Sequence, residues 1–594
     1  MDLDFVGFDI ETADADSLFT YGDGFVRLGG WSTPEGPRVS ADIKGELIPA
    51  LNDARWIYAH NFFGFDGLAL AYHYPDLVNW EALAAKALDT MVLERLRFPP
   101  EARDTGGSKD KYDLDNCCAR HGVGGKSASL PELAKLHGGY GQIPVTDAAY
   151  IDYLKHDVLA LEGLFGKLPR NRYAKREHEV ESWLGRMTLN GFRVDIPLLT
   201  QRLEQGEERK QAAIQALASD YGLPLGRFNW KGRAKDKVEE WEEFANPLAS
   251  LEGRQWLLGI WHAFGVVNPP VTDKGRLATK AETLRELIDS GILNPELVDI
   301  LEKIMIVTTT RTVYQTVQDY LVGDRVYPRI NMGQASGRSS VTRPGLTVFG
   351  KRGERYHERD IFIANEGWSI FTADLKQIDM RCIAALCQDK NYMALFEDGR
   401  DPHTETAIRF FGSAARRNEI KPITHGANYG LGRKKLIDQG HDPRLVKAYF
   451  DERRAQFVRL MQAQDEWRET ARNGYLDNGW GRKMKCDPSR LFTQPPALMG
   501  QGAAADALKE CILRLPEHLR PHVHVTVHDE VVFSGPDEHI EEMKFEVNKA
   551  MTFGLANDNG RLVVVDHDEP GAVPIECDIE GPAKSWGGVI AASK

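Results

Sequence analysis

A chain of 594 residues is too long to fold around one hydrophobic core and is expected to divide into roughly three or four domains. Its 42% hydrophobic and 27% charged residues are ordinary for a globular protein, and no run of about 18 apolar residues calls for a membrane span. The formal net charge of −13 argues against a small basic nucleic-acid-binding module, although clustered Arg and Lys still create a local positive field. Seven cysteines with no CxxC pair read as reduced thiols, neither a disulfide framework nor a zinc site. The acidic start MDLDFVGFDIE enters a strand at once and has no signal-peptide pattern. A cytoplasmic protein with no membrane partner is expected.

Residues 1–168 read as an α/β unit, with strands DFVGFDI and RWIYAHN and a helical stretch around Leu68–Tyr72. Side chains repeat with period two along a strand, so Asp9 and Glu11 share a face and both reach one divalent-ion site. Asp66 in HNFFGFD and Asp157 in YLKHD complete a four-carboxylate set suited to hard Mg²⁺, with Mn²⁺ as an alternative. Tyr153 stands one helical turn before Asp157 and points at the same site, where a tyrosine can orient an attacking water. Taken alone, DxE is weak, because most such pairs are solvated surface. Asp89 in ALDTM is open between a cleft lining and a helix cap.

Further along, the Gly- and Lys-rich residues 105–128 are expected to form a mobile surface loop, and 169–325 a long, charged, helical region. Pro-containing breaks interrupt that region at Asn268–Pro270 and Asn294–Pro295. Beyond it, strands are expected at 325–331, 368–374, 522–528 and 530–534. Helices are expected at 377–387, 402–411, 414–428, 443–473 and 500–514. Asp374 ends the apolar strand WSIFTAD and feeds a helix whose Ile378, Cys382 and Ala385 share a face. His528, Asp529 and Glu530 sit at the expected turn of the apolar hairpin VHVTVHDEVVF. Burying three ionisable groups there is costly without a metal or a network. Arg417, Lys421, His425 and Tyr429 recur every four residues and drift about 40° per step, so they form one helical stripe. A solvated basic face is the plain alternative for that stripe.

Two resemblances follow from these segments. The ordered Asp9, Glu11, Asp66, Tyr153 and Asp157 resemble the DEDD exonucleases, in the subtype that carries a tyrosine. TADLKQIDMR, RRNEIKPITHGANYG and VHDEVVF resemble motifs A, B and C of the family A (pol I type) DNA polymerases. ASGRSSVTRPG, DPHTETA, QGAAAD and PIECDIEGPAKSW also match that family in order, from near residue 170 to near residue 590. The resemblance implies an α/β multidomain fold, with an RNase H-like exonuclease domain followed by a right-hand polymerase of thumb, palm and fingers. Its expected divisions are 1–168 for the 3′–5′ exonuclease and 169–330 for the thumb and connecting helices. Residues 331–395 would be the first part of the palm, 396–480 the fingers and 481–594 the second part of the palm.

The same resemblance assigns the site residues. Asp374, Leu375 and Asp529 would hold two Mg²⁺ ions, with Glu530 beside them, and Asp9, Glu11, Asp66 and Asp157 would hold two more. Arg417 and Lys421 would grip the triphosphate of a dNTP, with Lys421 also the general acid to the leaving group and Tyr429 near the templating base. Gln377, Asp379, His403 and His425 would complete the nucleotide pocket, and Arg338, Gln501 and His528 would contact primer–template DNA. The chain departs from the family pattern at four places. Asp379 stands where Glu is usual as the sugar gate, and His425 stands where an aromatic residue packs on the sugar. Pro422 follows Lys421, so the helix is expected to begin or bend there. Thr493 and Ala497 replace an Arg and an Asn. The divergence points to a bacteriophage-type replicative enzyme, monomeric, working in a host bacterial cytoplasm, with helicase or primase among its partners. The alternatives are a 3′–5′ exonuclease whose polymerase half binds DNA but is inactive, and a single-subunit RNA polymerase. The nuclease motifs and QGAAAD count against the latter.

Overall fold

The computed structural model describes residues 5–101, 109–124, 130–231, 238–271, 276–279, 281–289, 293–308, 312–351 and 353–592. The chain forms two compact units, one from residues 1–194 and 320–594 and the other from 195–319.

The N-terminal part of the first unit is built on a five-stranded sheet. Its strands lie in the order Gly36–Ser40, Val26–Thr33, Phe5–Thr12, Trp56–Ala59, Ala87–Asp89. The first three are antiparallel and the last three parallel. The central strand Phe5–Thr12 turns Phe8 and Ile10 into a core shared with Ile57, Phe62 and Trp80. That leaves Asp9 and Glu11 on its other face. The helix Ala148–Phe165 packs on this face, capped at its start by the Asp147 carboxylate, which accepts from the backbone of Ala149 and Tyr150. Its close approach requires a glycine. Gly30 pairs with Asp9 in the sheet, and a Cβ there would stand 2.8 Å from Leu154. The missing side chain lets the helix descend onto the sheet and carry Asp157 towards Asp9 and Glu11.

The C-terminal part of this unit is organised by a four-stranded antiparallel sheet in the order Val523–Val527, Glu530–Pro536, Trp368–Leu375, Cys577–Ala583. Its register sets Asp374 between Glu530 and Asp578. The helix Ile378–Cys387 packs against Gln494–Arg514, whose run of buried Ala503, Ala504, Ala505 and Ala507 allows close contact. The helices Pro402–Phe411, Arg417–Asn428, Arg433–Asp438, Pro443–Gln456 and Val458–Ala471 lie between the third and first strands in sequence.

The second unit consists of the helix Ile196–Tyr221, a hairpin of Gly226–Lys231 with Val238–Glu243, and the helices Leu251–Ala263, Ala281–Asp289, Pro295–Thr308 and Val313–Gln318. Its core gathers Leu217, Trp261, Ile300, Leu301 and Ile304.

Several sequence expectations need correction. The described part of 105–128 is ordered helix, Lys109–Tyr112 and Leu114–His121, because Leu114, Cys117 and Cys118 have an apolar surface to cover; 105–108 and 125–128 lie outside the described residues. The region 169–325 is not helical throughout. It includes the hairpin and the strands Phe192–Val194 and Leu321–Val322, where β-branched and aromatic residues override the charged pattern. The helix expected over 443–473 breaks at Phe457, whose ring is buried and whose backbone leaves helical geometry. Glu530 is not in the turn but opens the buried strand Glu530–Pro536. Pro422 neither starts nor ends its helix, which begins five residues earlier at Arg417. All seven cysteines are free and buried. Among the described residues no helix is long and apolar enough to cross a membrane.

Candidate functional sites

In the N-terminal part, Asp9, Glu11 and Asp157 each bring one carboxylate oxygen within 4.8 Å of the others, spacing that suits a shared cation. Asp66 lies beside this trio without joining it at that separation. It is buried, and its carboxyl is held well above the usual carboxylate range, first by burial and then by the charges of Asp9, Asp89 and Glu11. Its Oδ2 has no hydrogen-bond partner, so the residue has both the charge environment and the spare lone pairs of a metal ligand. Asp89 resolves into a structural role. It caps the helix Thr90–Arg97 and accepts from the backbone of Asn61 (2.9 Å) and Phe63 (3.2 Å). In this way it fixes the left-handed Asn61 and the wide helical turn Phe62–Asp66 that presents Asp66. Tyr153 is buried one turn from Asp157 on the same helix. The donor set is all oxygen and fits a hard divalent ion.

The second site lies at the end of the C-terminal sheet. The turn His528–Asp529, with His528 in the left-handed region at φ 57°, joins Val523–Val527 to Glu530–Pro536. The Leu375 N–H donates to the Asp529 carbonyl at 3.1 Å, which ties this turn to the strand end that carries Asp374. Burial pushes the Asp529 carboxyl up to about 7. The charges of Asp379 and Asp374 add to that rise, while Arg338 and Lys351 oppose it. The donors here are carboxylate oxygens, the chemistry that a hard divalent cation takes.

Lys351 lies among them. Its Nζ is 2.6 Å from Asp374 Oδ2 and 2.6 Å from Glu530 Oε2. Glu530 also accepts from Arg359 (2.9 Å) and from the Trp586 indole (3.0 Å), so it acts as the buried anchor of the site. Arg338 donates to both oxygens of Asp379, at 2.7 and 2.9 Å, and lies 3.8 Å from Asp529. The Tyr429 hydroxyl donates to the same Asp379. A continuous chain of contacts therefore joins the end of the helix Arg417–Asn428 to Asp379 and Asp529.

The stripe on that helix is present as expected. Its last two members touch, with His425 and Tyr429 rings 4.4 Å apart. Arg417 clasps Asp401 at 2.8 and 3.2 Å, and Asp401 at the same time caps the helix Pro402–Phe411 through the Thr404 N–H. His403 is buried just beyond. Burial pulls its imidazole down to about 4, Asp401 resists, and Lys421, Arg417 and His425 add to the fall. A neutral histidine is thus set into a cluster of cations. Gln377 is left-handed, φ 40°, at the head of Ile378–Cys387, and Gln501 is partly exposed on Gln494–Arg514.

Sequence reasoning passed over Lys351, Arg359, Asp401 and a buried ionic network behind the site. In that network Glu177 accepts from Lys509 (2.7 and 2.9 Å) and Arg482 (3.0 Å), while Asp506 binds Arg176, Tyr173 and Asn478. Only Asp401 left a signal, as the acid before Pro in DPHTETA, a helix-start pattern.

Residues 259–587, more than half of the chain, match the model of DNA polymerase family A, and the chain belongs to that family. It is 28% identical over 452 residues to the thermostable DNA polymerase I of Thermus aquaticus, covering 70% of this chain and 48% of that one. It is 23% identical over 546 residues to the DNA polymerase of Mycobacterium phage D29, covering 87% of this chain and 82% of the phage protein. The chain spans about half the length of the bacterial DNA polymerase I relatives it matches. In fold it resembles the POL domain of Pol1 from M. smegmatis, solved in complex with DNA primer-template and dNTP. The TM-score is 0.68 at 20% identity, over 99% of this chain and 96% of that one. The expected α/β multidomain fold of the family A type is met.

Proposed function

We propose that the protein is a DNA-templated DNA polymerase that also proofreads through a separate 3′–5′ exonuclease site. The observation that carries the reading is the contact chain Tyr429–Asp379–Arg338–Asp529, which connects the end of a family A fingers-type helix to Asp379 on the helix Ile378–Cys387 and to Asp529 in the turn beside the strand end of Asp374. In this reading Arg417 and Lys421 hold the phosphates of an incoming dNTP, and Lys421 gives a proton to the departing pyrophosphate. His403 and His425 line the pocket, and Tyr429 closes it under the template base. Asp379, held from two sides, presents a fixed edge to the sugar. Arg338, Gln501 and His528 position the primer terminus. Asp374, Asp529 and the Leu375 backbone would hold divalent ions, as would Asp9, Glu11, Asp157 and Asp66. Such ions supply charge neutralisation at the phosphates and a lowered pKa at the attacking oxygen. Tyr153 orients the water that attacks a mispaired 3′ end.

Domain roles follow: exonuclease in 1–168, thumb in 169–330, fingers in 396–480, and palm in the segments on either side of the fingers. We take the role to be genome replication in a bacterial cytoplasm, beside a helicase or primase; the similarity to the DNA polymerase of phage D29 supports this. Two variants test the reading. Asp9→Ala with Glu11→Ala should abolish digestion of single-stranded 3′ ends and leave primer extension intact, and Asp529→Ala should do the reverse. Loss of both activities from either change would defeat the two-site reading, and digestion without any extension by the native protein would favour a nuclease with an inert polymerase half.

A further inference from the structure

Outside both sites, two arginines from the C-terminal half meet the N-terminal sheet at the approach to its carboxylates. Arg329 opens the strand Arg329–Asn331, which pairs antiparallel with Ser340–Thr342, and Arg343 follows directly on that second strand. The register sets Arg329 opposite Thr342, so both guanidiniums leave the same end of the ribbon. Arg329 donates to the Ala15 carbonyl at 3.2 Å, and its guanidinium lies 5.9 Å from the centre of the Phe65 ring. Phe65 immediately precedes Asp66. Arg343 reaches Asp16 at 2.6 Å, on the loop that continues the strand carrying Asp9 and Glu11. Both arginines therefore touch residues one to five positions away in sequence from the carboxylates.

This placement is rigid. Tyr327, two residues before Arg329, stacks on Phe19 at 4.8 Å and meets Tyr72 edge-on at 5.4 Å. Arg343 is held in the left-handed region, φ 56°, a conformation that a branched-chain or long side chain adopts only when its surroundings impose it. The electrostatics are unbalanced. Arg329 is pulled down to about 10 by burial and by the charge of Arg343, and Asp16 opposes the two of them. The Asp16 side chain, in the one-turn helix Ala15–Ser17, is 75% exposed.

Two guanidiniums that repel one another beside an exposed carboxylate can also receive a phosphodiester, to which each fork offers parallel donors. We infer that Arg329 and Arg343 form a clamp for the backbone of single-stranded DNA at the entrance to the Asp9–Glu11–Asp157 site, with Asp16 keeping the place of the phosphate until the strand arrives. This deepens the exonuclease reading and rests on it. A docking role, in which Arg343–Asp16 merely fastens the two halves together, is the plain alternative.

The test uses the full chain and its Arg329→Gln, Arg343→Gln and Asp16→Asn variants. Binding of a fluorescent single-stranded oligonucleotide is measured by anisotropy in EDTA across a salt series, and 3′ digestion and matched-primer extension are measured with Mg²⁺. Each arginine change should weaken oligonucleotide binding about tenfold. It should also reduce the slope of log affinity against log salt by about 0.7, the share of one single-strand phosphate. The ratio of digestion to extension should fall with it, while Asp16→Asn should tighten binding. Unchanged binding and slope in both arginine variants would overturn the clamp. So would weaker binding in Asp16→Asn, which is what a docking role gives. If the native protein binds the oligonucleotide but never digests it, the nuclease reading fails, and the salt slopes still decide the clamp.

Discussion

Replacing Glu177 by Gln should loosen the helix Gln494–Arg514 selectively, and the structure sets the size of the effect. Glu177 lies on Arg172–Asn190 and is 3% exposed, and its carboxylate is the main counter-charge to Lys509, which is 0% exposed, and to Arg482, which is 2% exposed. Three cations, Arg176, Arg482 and Lys509, share two buried carboxylates, Glu177 and Asp506. Glu510, partly exposed, also meets Arg176 at 3.4 Å, so the amide keeps the shape of the site but leaves one cation uncompensated. Breaking a buried pair in this way costs about 3–5 kcal/mol. Native-state hydrogen exchange reads it without needing the whole chain to unfold in one step. Amides of Gln494–Arg514 that open locally should exchange about 100-fold faster, the equivalent of about 3 kcal/mol. The double variant Glu177→Gln with Lys509→Met restores the charge balance and should recover most of the protection. Exchange changed less than fivefold in the single variant, or no recovery in the double, would refute the claim that charge compensation holds these helices together.

Three further outcomes follow from the same reasoning. Lys351→Met should lower the melting temperature in metal-free buffer, by the equivalent of about 1–2 kcal/mol because the pair is partly solvated. It should also shift Mg²⁺-induced stabilisation to lower ion concentration, since the lysine no longer competes for Asp374; an unchanged Mg²⁺ midpoint would count against that competition. His524 is buried between the Gly191 carbonyl (2.6 Å) and the Ser534 hydroxyl (2.6 Å), and burial pulls its imidazole down to about 4. The depressed pKa means that the neutral ring's contribution is complete above about 6.5 and is lost as pH falls to about 4, roughly 3 kcal/mol in all. His524→Asn should flatten denaturation midpoints across that window, and an identical pH profile would refute it. Asp401→Asn keeps a good helix cap but releases Arg417, so steady-state kinetics should show a lower KM for dNTPs, and a raised KM would show that Asp401 aims the arginine rather than restrains it.

The parts of this molecule that repeat locally were legible in the sequence. Asp9 and Glu11 share a strand face by period, the stripe from Arg417 to Tyr429 follows helical spacing, and the helix Pro402–Phe411 begins and ends where its Asp-Pro start and Gly412 place it. What escaped was set by tertiary register. Nothing near Lys351 announces that it will lie among Asp374, Glu530 and Glu580, because that meeting depends on strands 179 and more residues away. Glu530 groups with the turn acids although the strand expected at 530–534 begins with it, because nothing local shows that its side chain is buried against Arg359 and Trp586. The helix Leu114–His121 read as loop because glycines and lysines on either side masked a short apolar face whose partners, Ala160, Leu161 and Leu164, come from a later helix. Gly30 carries no pattern at all, yet its missing Cβ sets how closely Asp157 approaches.

The cations that face these sites share one habit: Arg417 holds Asp401, Arg338 holds Asp379, Lys351 holds Asp374 and Arg343 holds Asp16. On the proposed reading, a nucleic acid arriving here would exchange one anion for another instead of adding to a bare positive surface. Each exchange returns a carboxylate to solvent, so each contact contributes less affinity than a bare cation would. Monovalent anions gain too little to displace the resident carboxylates, whereas a polyphosphate or a metal-laden strand displaces several together. On that reading the surface would favour a ligand that engages many points at once.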